Sequence, residues 1–137
     1  MTTRVRISVG PFEFEGRFET ELAPQSVAII AQRLPLERAI LQARWSGEAA
    51  WVPLGPDIKV APENAVSYPQ PGQILLYAGA RSEPELLIPY GPCAFASRAG
   101  VLAGNPVITL ERNLAALRGL GELLLWKGAQ TLRLASF

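Results

Sequence analysis

Nine of the twelve prolines in this 137-residue chain lie between Pro53 and Pro106. A proline inside a helix removes one hydrogen bond and clashes with the preceding turn, at a cost of roughly 3 kcal/mol. The middle of the chain must therefore be strands and turns. Its short apolar runs agree: residues 73–77 follow the Pro71-Gly72 turn signal, residues 85–88 stop at Pro89, and residues 94–97 follow Pro92. Ahead of this region Val5-Arg6-Ile7-Ser8-Val9 alternates with period two. Phe12-Glu13-Phe14-Glu15-Gly16-Arg17-Phe18 does the same after Gly10-Pro11, which predicts an opening hairpin with one buried face.

Two helices flank the proline-rich middle. The first begins near Pro24, whose ring presets φ and whose missing N–H has no helical partner in a first turn, and it carries Val27, Ile30, Ala31 and Leu34 before Pro35. The second is predicted over residues 109–118, with Leu110, Leu114 and Leu117 on one stripe and Gly119 and Gly121 as stop signals. Leu132-Arg133-Leu134-Ala135-Ser136 alternates as a last strand. Hairpin, helix, short strands, helix and strand is the order of a mainly β chain: a closed antiparallel β-barrel with two α-helices capping it.

Composition limits what such a barrel does. With 49% apolar residues the chain makes one domain, residues 1–137, with a core that needs neither disulfide nor metal. Thirteen basic and twelve acidic residues leave a net charge of +1 spread along the sequence, so no nucleic-acid partner is expected. No apolar run approaches the ~20 residues that cross a bilayer, and no membrane partner is expected either. The single cysteine, Cys93, and the polar opening segment, residues 1–6, without the apolar stretch of a secretory signal, predict a cytoplasmic protein.

The chain has no histidine, which rules out Ser-His-Asp and Cys-His nucleophiles and imidazole metal sites. No metal and no cofactor are expected. Acid–base work falls to eleven glutamates and Asp57. Glu48 stands out, because Ala43-Arg44-Trp45-Ser46-Gly47-Glu48-Ala49-Ala50-Trp51 sets a guanidinium, a hydroxyl and a carboxylate among two indoles. Apolar walls would raise the pKa of Glu48 and make it a proton carrier, with Arg44 as its catalytic companion. The alternative is a surface glutamate paired with Arg44. Trp45 and Trp51 either wall a pocket or fill the barrel core, according to whether a turn at Ser46-Gly47 separates them onto neighbouring strands.

Other candidate ligand contacts are Ser46, the tyrosines Tyr68, Tyr77 and Tyr90 beside prolines or glycines, and Arg98, whose planar fork suits a carboxylate. Asn105, within Gly104-Asn105-Pro106, is either an amide reader or a turn former. Cys93, with no base nearby in sequence, reads as inert.

The opening, Phe18-Glu19-Thr20-Glu21-Leu22-Ala23-Pro24 leading into a helix, resembles cyclophilins, as do the second helix and the terminal strand after Gly128. Between the ends the chain is similar to a bacterial group of cyclophilin-like proteins of unknown function. That similarity lies in Arg44-Trp45-Ser46-Gly47-Glu48-Ala49, Pro62-Glu63-Asn64-Ala65, residues 68–77, Pro89-Tyr90-Gly91, Ala99-Gly100, Ala103-Gly104-Asn105 and Trp126-Lys127-Gly128-Ala129-Gln130. The resemblance implies a cyclophilin-like barrel but not prolyl isomerase activity, since the Phe-His-Arg stretch of those enzymes is missing. The expected function is a pocket that binds, and in one version transforms, a small acid, amide or imine metabolite. Two alternatives remain open: a peptide-binding module with little or no isomerase activity, and a non-catalytic subunit of a homo-oligomer. A homo-oligomer is the expected assembly.

Overall fold

A computed structural model describes residues 3–137, so Met1 and Thr2 of the polar opening segment lie outside the described residues. The first hairpin is as the alternation predicts, with β1 at Arg4–Val9 and β2 at Phe12–Phe18. Val5, Ile7, Val9, Phe14 and Phe18 are buried. Helix α1 follows at Pro24–Ala31, with Pro24 in its first turn. Strands β3 (Leu36–Gln42), β4 (Gly47–Pro53), β5 (Gln73–Tyr77), β6 (Glu85–Cys93), β7 (Ala96–Ser97), β8 (Gly100–Val101) and β9 (Asn105–Arg112) come next. Helix α2 spans Leu117–Lys127 and β10 spans Gln130–Ser136.

Eight of these strands close a barrel in the order β1-β10-β3-β4-β6-β5-β9-β2, every pairing antiparallel. Strand β7 pairs with β8 alone. Leu117, Leu120 and Leu124 of α2 and Val27 and Ile30 of α1 join the same buried cluster as the inward strand residues. Helix α2 sits by the β1–β2 turn, where Gly119 meets Phe12 and Gly10 faces Leu123, and α1 lies toward the other end. Among the described residues no helix is long and apolar enough to cross a membrane.

The predicted helix over residues 109–118 is a correction. Thr109 and Leu110 are strand, paired with Arg17 and Gly16 of β2. The β-branched run Val107-Ile108-Thr109 favours that pleat, and Asn113, in the left-handed region at φ 67, ends the strand and donates its amide to the Glu13 carbonyl at 2.9 Å. The helix starts after a short 3-10 turn and runs through both glycines read as stops, because Gly119 and Gly121 let Phe12 and Tyr90 approach its backbone. Its end is Gly128, at φ +84.

Strand β6 also passes the predicted stop at Pro89. That residue lies beyond the last β5–β6 pair and beside the β4 irregularity between Gly47 and Ala49, a setting in which a missing donor is tolerated. Of the predicted run 94–97 only Ala96 and Ser97 form a strand.

The helix α1 has no side-chain cap of its own, since Ala23 occupies that position. Glu63 supplies one from a distant loop: its carboxylate accepts the Gln25 and Ser26 amides at 3.0 and 2.8 Å and the Ser26 hydroxyl at 2.7 Å. Burial pulls the Glu63 carboxyl up, and those bonds outweigh it and hold it below the usual carboxylate range. A lowered carboxyl stabilises the fold above its unfolded-state pKa and loses that contribution as pH falls through its folded value. Glu63→Gln is therefore expected to cost about 1 kcal/mol in urea melts at neutral pH, with the gap to wild type shrinking below about pH 4. An equal gap at both pH values would assign the loss to packing.

Candidate functional site

Period-two alternation places the site. On β4, Ala50 and Val52 point into the barrel core, while Ala49 belongs to a second cluster on the outside with Leu75, Tyr77, Leu87, Phe95 and Leu102. The segment after β6 covers that outer patch. It is fastened by Phe95 N–H to the Ser67 carbonyl (2.7 Å) and Leu102 N–H to the Phe95 carbonyl (2.9 Å). Trp51 and Glu85 share the parity of Ala49 and Leu87 and so face outward beside it.

Beside this patch lies a cleft of ≈ 490 Å³, bordered by the β3–β4 turn, β4, the β5–β6 loop and the β7 region. Arg44, Trp45, Ser46, Trp51 and Arg98, all candidates from the sequence, line it. The two indoles do meet one space: Trp45 rides on the turn, 56% exposed, and Trp51 stands half-buried on β4. Ser46 is buried, donating its hydroxyl to the Ala96 carbonyl (3.1 Å) and accepting the Ala96 N–H (3.0 Å). Those bonds tie the turn to β7 and set the distance across the cleft.

The other candidates lie elsewhere. Glu48 shares parity with Ala50 and points toward α2, where its carboxylate rests on Gly91 and stands 3.8 Å from Arg118. It is not beside Arg44. The Tyr90 ring packs on Gly121, and its hydroxyl donates to Gln42 Oε1 at 2.6 Å. Tyr77 stacks edge-on against Phe95, with ring centroids 5.5 Å apart, and its hydroxyl accepts the Arg81 N–H at 3.1 Å. Tyr68 is exposed, away from the cleft. Asn105 is buried and saturated, donating to Ser26 Oγ and the Ala61 carbonyl and accepting the Glu63 N–H. Burial pushes the Cys93 thiol up to about 11, which keeps it protonated and unreactive at neutral pH.

Sequence reasoning missed four polar lining residues of the β5–β6 side, Arg81, Ser82, Glu83 and Glu85. Arg81 is held by the Val101 and Ala99 carbonyls. Of the two carboxyls in this lining Glu83 is exposed and Glu85 is the buried one: it is 7% exposed, and no side chain or backbone group among the described residues hydrogen-bonds its carboxyl. Burial, with a smaller contribution from the neighbouring Glu83 charge, pushes it up to about 8, so it is largely neutral at pH 7. One signal was readable: a glutamate opening the otherwise apolar run Glu85-Leu86-Leu87-Ile88.

The cleft thus combines indole surface, guanidinium groups and a neutral carboxyl capable of donating a hydrogen bond. Search of curated proteins finds no match. Among solved structures, McbB in complex with tryptophan is similar over 96% of this chain and 44% of its own length, at 16% identity and a TM-score of 0.77. This chain therefore spans less than half of McbB. The hypothetical protein AF2241 from Archaeoglobus fulgidus, a solution structure, is similar over 99% of this chain and 95% of its own, at 17% identity and a TM-score of 0.61. Both likenesses are of the barrel. The family model for proteins of unknown function named DUF3830 matches residues 5–136, nearly the whole barrel, and the chain belongs to that family.

Proposed function

We propose that the outer cleft binds a small planar organic acid, amide or imine, on a barrel that we read as cyclophilin-like. The observation that carries this reading is the convergence of Arg44, Arg98, Trp45 and Trp51 on one concavity that also holds a buried carboxyl. Arginine forks take up carboxylate oxygens in pairs, and indole faces shield a flat ligand from water. A cleft of this size accommodates a metabolite of amino-acid dimensions. McbB, with the same barrel, is known in complex with tryptophan, a ligand that joins a carboxylate to an aromatic plane, which supports the class proposed here. In this reading Arg44 and Arg98 hold the ligand's charge and the tryptophans exclude water, while Glu85 supplies the carboxyl function looked for at Glu48.

Calorimetric titration with benzoate, benzamide and benzylamine tests it. Benzoate is expected to bind more tightly than benzylamine, and Arg98→Ala or Arg44→Ala to weaken benzoate by about tenfold each, the loss of one charge-assisted pair. Equal heats for the anion and the cation, or arginine variants that bind benzoate as the wild type does, would overturn the proposal.

A further inference from the structure

Glu85 poses a problem that the arginines and indoles do not. Polar groups are nearly always hydrogen-bonded, to protein or to water; Glu85 is a buried residue whose carboxyl no group among the described residues hydrogen-bonds, and that carboxyl opens onto the cleft. Its surroundings explain which form it takes. Strand β4 presents Trp51 and Pro53, β5 presents Tyr77 with its hydroxyl already engaged by Arg81 N–H, and the β5–β6 loop brings Arg81 and the Glu83 carboxylate. Arg44 and Arg98 belong to the exposed part of the lining. A carboxylate at Glu85 would repel the anion that those arginines attract, whereas a carboxylic acid adds a donor without adding charge.

Resting on the function proposed above, we infer that Glu85 is an uncharged hydrogen-bond donor of the cleft and that it reads the oxo oxygen of a planar 2-oxo acid whose carboxylate the arginines hold. A 2-oxo acid places an acceptor next to its carboxylate, so one small ligand engages both the guanidiniums and the acid O–H. A simple carboxylate engages only the first. Discrimination arises because a ligand that covers the cleft without offering an acceptor shuts this donor away from water unpaired.

Benzoylformate is the probe, with benzoate as the same ring lacking the oxo group. Benzoylformate is expected to bind wild type about tenfold more tightly than benzoate near pH 6, the worth of one buried hydrogen bond. That advantage falls away near pH 9.5, where Glu85 has lost its proton while arginine keeps its charge. Glu85→Gln, whose amide still donates, keeps the preference at both pH values. Glu85→Leu, with no donor, loses it at both. If neither acid binds, the function proposed for the cleft fails. If both bind alike in wild type at each pH, and Glu85→Leu matches wild type, the cleft reading stands and the assignment of Glu85 is wrong.

Discussion

Glu85→Gln is expected to make the folded chain more stable than wild type at pH 9 and nearly equal to it at pH 4. In the unfolded chain this glutamate ionises near its ordinary value, about 4.3, whereas burial pushes it up to about 8 in the barrel. Between those values the folded state holds a proton that the unfolded state has released. Each step up in pH across that window therefore favours unfolding, and the penalty levels off above about 8. The full gap corresponds to at most about 5 kcal/mol. Glutamine keeps the shape and removes the ionisation. Urea midpoints at pH 4, 7 and 9 check this: the advantage of the variant should be near zero, then substantial, then largest. A difference that stays flat across the series would mean that Glu85 ionises as freely in the barrel as in water.

A gain of this kind is what a binding group held against its electrostatic preference should show, since function and stability often pull in opposite directions at such sites. The same substitution probes the cleft twice, once through folding and once through ligand preference.

The second large effect is a loss. Gly121→Ala should destabilise the barrel by about 2 kcal/mol or more, although alanine is the better helix former by about 1 kcal/mol. A Cβ at this position would stand 2.1 Å from Cε1 of Tyr90. The ring has little freedom to move aside, because its hydroxyl is bonded to Gln42 and the ring packs against the barrel's core cluster. Either α2 lifts from β6 or Tyr90 gives up that bond. Thermal melts of Gly121→Ala, Tyr90→Ala and the double variant separate the causes: the double variant should lose far less than the sum of the singles. Simple additivity would remove the Tyr90 contact as the cause.

The glycine pair in α2 also shows where the sequence was legible and where it was not. Period-two alternation in β1 and β2, the Pro71-Gly72 signal before β5 and Pro24 at the head of α1 are local rules with local outcomes, and the structure follows them. Gly119 and Gly121 obey a tertiary demand, close approach of Phe12 and Tyr90, that no window of sequence displays. The stripe of Leu110, Leu114 and Leu117 fitted a helix although Leu110 belongs to β9. Strand β3 was hidden for the converse reason: its buried residues, Leu36 and Ile40, sit four apart with exposed residues between, a spacing that imitates a helix.

At the cleft, residue types along 43–51 pointed to a turn that borders it, but parity about Gly47 decides which side each residue faces. Trp51 faces out and Glu48 turns to α2, so the buried carboxyl of the cleft comes from another strand, 34 positions further on than Trp51. A distance of that kind in sequence is bridged by the β4–β6 ladder, where Pro53 is the residue paired with Glu85.

The barrel's interior is filled with aliphatic and aromatic side chains, and the cleft stands on the convex side of its wall, over a separate small apolar layer. A molecule bound as proposed would therefore arrive and depart without any breathing of the eight-stranded cylinder. The three segments that border the cleft can accordingly be altered without repacking the staves of the cylinder.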